Sequence, residues 1–433
     1  MTSILYLPTR YFPAISGAEF YIQRIAEILK ANYNYDIDIV TSDAIDFKAL
    51  KHPSGKKVKK EDKNFKIVNN LLINRYPIEY NESFEEKFNT IKKIKSYKFL
   101  NLSDSALKGI LNNGPYLEEL LVDFISSKKL KYDLIHTIFY PYFNILIALI
   151  LGKEINKPTV CTPFFHFSNP RYINPVLFEV LRKFDLLIAC TPIEKNFLIE
   201  KVGISKEKVE VIPMGVDYEK FSSRIRKNHK KYSFKANYFK NHEKKYKLVL
   251  FCGYKNYEKG ALSILKAIPN IIQNYKKVYF VFIGPSTMAF NRELSKIHKM
   301  KDTRIINLGP DNLTGYFDKK KIAAFKEADI FLMPSRSDAF GIAYLEAWAA
   351  GKPVIGANIG ATPQVIDEKQ DGLLVEFDDS HDISEKVLLL LKKRRLRKNF
   401  GLKGELKVIK NYKWEKIVEK THQTYQRLIS ITG

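Results

Sequence analysis

At 433 residues the chain is too long for one ordinary core, and it implies two α/β domains. Its content, 45% hydrophobic and 13% aromatic, is ample for globular packing, while 72 Lys plus Arg against 47 Asp plus Glu give a formal charge of +25 and a surface that prefers anions. The three cysteines, Cys161, Cys190 and Cys252, sit inside apolar runs without metal-ligand spacing, which excludes a thiolate metal site and points to a reduced, cytosolic protein.

The opening MTSILYLPTRYF has neither a basic leader nor a cleavage site and reads as a first strand over 3–7. Further short apolar strands are predicted at 37–41, 134–137, 159–162, 186–190 and 209–212 in the first half. In the second half they fall at 248–252, 278–283, 304–308, 330–333, 354–357 and 373–375. Helical patterns alternate with them, the mark of parallel sheets covered on both faces. This predicts two Rossmann-like, doubly wound domains facing a central cleft. The first spans 1–221, a polar and basic linker 222–247, the second 248–410, and a last helix, 411–433, packs back on the first.

Within the first domain the stretch 44–131 is a long basic insert. Its segment 84–100, FEEKFNTIKKIKSYKFL, sets Phe84, Phe88, Ile91 and Ile94 on one helical face. That helix either covers the sheet or lies on an anionic membrane surface. The weakly charged run 134–152 has the length of a membrane span, but Pro141 and Asn144 break it into a strand and a buried helix.

The stretch 334–354, PSRSDAFGIAYLEAWAAGKPV, is the most informative. Between Asp338 and Lys352 its only charge is Glu346, in a helix otherwise fit for burial, and a carboxylate there needs a partner. Phe340 and Gly341 open this helix directly from an apolar strand. The free amides of Gly341 and Ile342 therefore make an anion site one turn from a hydrogen-bond acceptor. A nucleoside diphosphate fits both. Lys259 and Gly260 fall at another strand-to-helix turn, where a cation can meet a phosphate and glycine lets the backbone approach.

These segments, taken in order, resemble the retaining nucleotide-sugar glycosyltransferases of family 4, which have the GT-B architecture. PAISGAEFYIQRIAEILK is similar to the family's Gly-rich loop and first helix, and PFFH, 163–166, to the segment with the donor-site histidine. DLLIACTPIEKNFLIEKVGISKEKVEVIPMGVD, 185–217, resembles the end of the acceptor domain, and GYKNYEKGALSILKA the diphosphate loop from Gly253. The fifth piece is 334–354.

The resemblance implies catalytic roles for His166, Lys259, Asp338 and Glu346. Donor-binding roles fall to Gly17, Gly253, Tyr254, Lys255, Lys259, Phe340, Gly341, Ile342 and Glu346. Glu346 matches the second acid of the family's E-x7-E motif and would hold the ribose. Asp338 replaces the first glutamate, which faces the donor sugar. Tyr254 stands where the family's arginine is usual, and Lys255 is the substitute cation. The loop with Gly360 and Gln364 lies near the sugar and has Gln where Glu is common. Transfer from a nucleoside diphosphate sugar to an acceptor hydroxyl would proceed by front-face attack, without a metal or other cofactor. The cationic surface suggests a glycan or lipid-linked acceptor at the inner face of a membrane, and no nucleic-acid module is found. Alternatives are a GT-B sugar-nucleotide epimerase, an inactive partner subunit and a basic nucleic-acid-binding protein.

Overall fold

The computed structural model describes the chain except Ile15, 127–130, Ser168, Ser223, 225–231, Asp302, Ser337 and Gly433. The chain divides into two units, residues 1–213 with the closing helix Trp414–Thr432, and residues 214–413.

The first unit contains strands β1 (Ser3–Leu7), β2 (Asp36–Ser42), β3 (Ile67–Val68), β4 (Leu71–Tyr76), β5 (Leu134–Ile138), β6 (Thr159–Thr162), β7 (Leu186–Ala189) and β8 (Val209–Val211). Their order is β3-β4-β2-β1-β5-β6-β7-β8, parallel except for β3. Strand order reverses between β1 and β5, the switch point at which doubly wound sheets bind ligands. Asn144 spans that point. Its Nδ2 donates to the carbonyls of Leu7 (2.9 Å) and Ile138 (2.8 Å), and its Oδ1 accepts from Thr9 Oγ1 at 2.8 Å. The polar interruption in the run 134–152 is therefore a clasp across two strand ends. The helix it opens, Asn144–Ile155, is buried from Asn144 to Gly152, and among the described residues no helix is long and apolar enough to cross a membrane.

The second unit has β9 (Lys247–Cys252), β10 (Val278–Ile283), β11 (Ile305–Leu308), β12 (Ile330–Met333), β13 (Val354–Ala357) and β14 (Gly372–Val375). All pair in parallel, in the order β11-β10-β9-β12-β13-β14, so its switch point lies between β9 and β12. The core strands are apolar on both faces because helices cover both sides; every residue of β10 is buried.

Three expectations need correction. The division between units falls after Pro213, and the described part of 222–247 is built into the second unit. There Glu327 accepts the amides of Phe234 (3.0 Å) and Lys235 (2.8 Å), which fixes the short helix Phe234–Tyr238. The stretch 84–100 is two helices, Phe84–Lys93 and Lys95–Lys98, and buries Phe88 and Ile91 within the unit. Those two side chains are spent on the core, each being worth about 1.5–3 kcal/mol there, while Phe84 and Ile94 are half-buried. Finally, part of the insert is sheet. Asn69 and Asn70, with φ of 49° and 65°, form the tight turn that pairs β3 with β4.

Candidate functional site

In the second unit the loops 253–260 and 334–341 leave the carboxyl ends of β9 and β12. They touch backbone to backbone. Gly260 has φ +71°, and a Cβ there would lie 2.2 Å from the Pro334 carbonyl oxygen, so only glycine permits the approach. The Arg336 amide donates to the Glu258 carbonyl at 2.8 Å, and the Arg336 guanidinium forks onto the Glu258 carboxylate, with Nε at 3.0 Å. Lys259 reaches across, its Nζ 2.6 Å from Oδ1 of Asp338. The second oxygen of Asp338 is buried without a hydrogen-bond partner among the described residues, an acceptor held ready for a donor group.

Gly341 follows with φ +91°, and a Cβ there would strike the Tyr344 ring at 2.5 Å. That ring is fixed because the Tyr344 hydroxyl donates to the Met333 carbonyl at 2.5 Å. Helix Ile342–Ala349 starts at this glycine with no side chain capping it, so its first amides open onto the strand ends. Phe340 is buried against the Tyr412 ring, with centroids 5.6 Å apart, and so anchors the turn.

Glu346, only 1% exposed, is paired within the protein. Lys321 Nζ donates to its Oε1 at 2.7 Å, and Lys321 also lies 3.7 Å from the centroid of the Tyr316 ring. Burial and the neighbouring Glu346 charge push the Tyr316 phenol well above its usual range. Sequence reasoning missed Lys321. The signal lay in its spacing, since Lys321, Ala324 and Phe325 share the inner face of helix Lys319–Glu327.

Lys255 is a correction. It is fully buried, and its ammonium donates to Asn307 Oδ1 at 2.5 Å and to the Leu308 carbonyl at 3.1 Å, away from the loop surface. Burial lowers its pKa to about 8. It ties the loop after β9 to β11 and is turned away from the phosphate position expected of it. Tyr254, at the position of the family's arginine, is 47% exposed and contributes no charge. Gly253 sits at the end of β9 with its amide on the Ile283 carbonyl at 2.9 Å. Gly360, φ +64°, brings the following loop beside Arg336, while Gln364 is exposed.

In the first unit, Gly17 opens helix Gly17–Tyr33 just after the β1 loop, whose Ile15 lies outside the described residues. The buried Glu19 of its first turn pairs with Arg10 at 2.7 Å. His166 follows β6, half-buried, its ring 4.9 Å from that of Tyr172. The turn before it is held by Glu194, a fully buried residue that sequence reasoning passed over. One oxygen accepts the Phe165 amide at 2.9 Å, the other the Cys190 amide at 2.7 Å. Burial raises the Glu194 carboxyl to about 7 despite those two bonds.

Two doubly wound sheets in one chain, the second with two touching loops at its switch point, define a GT-B protein. The family models agree: "Glycosyltransferase Family 4" matches residues 79–220 and "Glycosyl transferases group 1" matches residues 234–407. The chain belongs to this glycosyltransferase family. It is 23% identical to an uncharacterized glycosyltransferase of Methanocaldococcus jannaschii, over 99% of both chains. In fold it resembles Anabaena HepE in complex with UDP and glucose, with a TM-score of 0.70 and 13% identity, over 98% of this chain and 100% of that one. It also resembles sucrose-phosphate synthase from Thermosynechococcus elongatus, with a TM-score of 0.72 and 18% identity, over the full length of both.

Proposed function

We propose that the protein is a retaining glycosyltransferase that moves a sugar from a nucleoside diphosphate sugar to an acceptor hydroxyl. The observation that carries this reading is the cradle between the ends of β9 and β12. It combines a lysine, an unpartnered carboxylate oxygen and an uncapped helix start within two touching loops. Lys259 and the amides of Gly341 and Ile342 stabilise charge that develops on the leaving diphosphate. Asp338 accepts a hydroxyl of the donor sugar through its free oxygen. The leaving phosphate takes the acceptor's proton, so the step assigns no role to a metal. Gly17 and His166 keep the donor-side roles that the family resemblance implies.

HepE binds UDP, which makes UDP the first donor base to try. The test is a panel of UDP-, GDP- and ADP-sugars, read by thermal stabilisation and released nucleotide, beside Lys259→Ala. Stabilisation by one base, weakened in the variant, and an axial product from an axial donor sugar by NMR support the proposal. An inverted product removes the retaining mechanism. Donor turnover without an acceptor points to an epimerase.

We further propose that the enzyme works at the cytoplasmic face of a membrane on a glycan or lipid-linked acceptor. The formal charge of +25 supports this, and the helix Phe84–Lys93 does not. Failure to bind anionic vesicles at low salt would remove this part and leave the transferase reading intact.

A further inference from the structure

We infer that Lys51 and Arg171 form an anion site in the first unit, one that recognises a phosphate or carboxylate on the acceptor. Lys51 lies in the basic insert after β2, and Arg171 in the loop after β6. Both converge on the end of helix Asp104–Asn113. Lys51 Nζ donates to the Asn112 carbonyl at 3.3 Å, and Arg171 Nε donates to Asn113 Oδ1 at 2.6 Å. Arg171 Nη1 reaches the Tyr142 hydroxyl at 3.2 Å, and the guanidinium lies 4.3 Å from that ring's centroid. Every one of these partners is neutral. Two cations thus share one place, with no carboxylate bonded to either among the described residues. Partial burial, and after it the Arg171 charge, hold the Lys51 pKa below the usual lysine range.

Capping of a helix end accounts for Lys51, whose bond is to a backbone carbonyl. It does not account for Arg171, whose bonds go to a side-chain amide and a phenol and whose Nη2, itself buried, has no hydrogen-bond partner among the described residues. Guanidinium groups bind carboxylates and phosphates through paired N–H donors, and here that capacity is incompletely spent.

The surroundings are those of a ligand site. Arg171 rides on the loop that carries His166: its amide donates to Asn169 Oδ1 at 3.0 Å, and the Asn169 amide donates to the His166 carbonyl at 3.1 Å. At the ends of the neighbouring strands β5 and β6, Phe139 and Phe164 hold φ of +76° and +51°, a region costly for bulky side chains and common at functional sites. Phe47, 49% exposed and 6.1 Å from the Phe139 ring, has the Arg10 guanidinium over one face, 3.7 Å from its centroid, and its exposed surface adds an apolar contact suited to a sugar or polyol ring. The acceptor class is therefore a sugar or polyol that carries a phosphate or carboxylate, either soluble or as a lipid headgroup.

The word acceptor rests on the transferase reading; the anion site does not. The test titrates the full chain with glycerol 3-phosphate calorimetrically and floats it with phosphatidylglycerol or phosphatidylcholine vesicles, with and without UDP. Wild type is compared with Lys51→Gln, Arg171→Lys and the Lys51→Gln/Arg171→Gln double variant. Wild type is expected to bind glycerol 3-phosphate, which identifies a soluble acceptor, or phosphatidylglycerol in preference to phosphatidylcholine, which identifies a lipid one. The double variant should bind at least about tenfold more weakly. Lys51→Gln, at an exposed position, should weaken binding without moving the melting temperature. Equal binding by wild type and variants, or no binding by wild type to either probe, overturns the site. UDP binding in the same titrations reads the donor site separately, so its loss alone would sink the transferase reading and leave the anion site standing.

Discussion

The ammonium of Lys259 lies 2.6 Å from Oδ1 of Asp338, an ion pair that, beside that of Arg336 with Glu258, fastens the loop after β9 to the loop after β12. In the proposed function the same contact neutralises the lysine until a diphosphate arrives, and it leaves the other carboxylate oxygen buried and without a hydrogen-bond partner among the described residues. Lys259→Ala is expected to weaken nucleoside diphosphate binding by about ten- to a hundredfold, the loss of a charge-assisted contact. Asp338→Asn should keep that binding within a few-fold while lowering kcat about a hundredfold, read in the same donor assay.

Lys321 and Glu346 form a pair whose side chains are 8% and 2% exposed. Removing either partner strands a buried charge. Glu346→Ala and Lys321→Met should each cost about 3–5 kcal/mol in urea unfolding, and the Lys321→Met/Glu346→Leu double variant should recover most of it. If Glu346→Ala unfolds as wild type does, the pair is not what holds this helix. A fall in nucleotide binding in Glu346→Ala therefore has to be read beside its stability.

Gly341→Ala meets both a left-handed backbone angle and the Tyr344 ring. The expected cost is about 1–3 kcal/mol of stability, with nucleotide affinity falling further as the helix start shifts. Gly341→Ala/Tyr344→Leu removes the ring contact but not the strained angle, so it should recover only part of the loss by thermal melting.

Lys255→Met tests the reassignment of that lysine. An ammonium with pKa near 8, buried on neutral partners, costs free energy to keep charged at neutral pH. The variant should melt within a few degrees of wild type and bind nucleotide within about twofold. A tenfold loss of nucleotide affinity would return Lys255 to the phosphate site.

Glu194 gives a pH signature. Its carboxyl has a higher pKa folded, about 7, than the ordinary 4.5, so the folded chain holds the extra proton between those values. Its contribution to stability is full below about 4.5 and is lost as pH rises through 7. Glu194→Gln should flatten that part of the melting-temperature profile. It should also lower stability throughout, because the new amide sets a donor against the Phe165 or Cys190 amide.

The two sheets were legible because strands buried on both faces are continuous apolar runs, as VYFVFI in β10 is. β3 and β4 were not, since Asn74 and Arg75 interrupt the second and only the Asn69-Asn70 turn betrays the hairpin. The cradle was legible where backbone chemistry decides: Gly260 and Gly341 both hold the left-handed angles their turns require. It was opaque where side-chain direction decides. Lys255 and Lys259 lie on one loop four residues apart, yet one turns into the core toward Asn307 and the other toward Asp338. Lys321 and Glu346, 25 residues apart, meet only through the fold. Lys51 and Arg171 are farther still, joined by the end of a third element.

The closing helix Trp414–Thr432 belongs to the unit with which the chain begins. Trp414 packs on Phe20 and Tyr21, and the Tyr425 hydroxyl bonds the Tyr6 hydroxyl, at 3.1 Å, and Nδ1 of His136. The second unit is therefore a complete insertion within the first. During synthesis the inserted unit has all its residues before its host does, and the sheet started earliest waits for the final twenty or so residues to cover its aromatic seam.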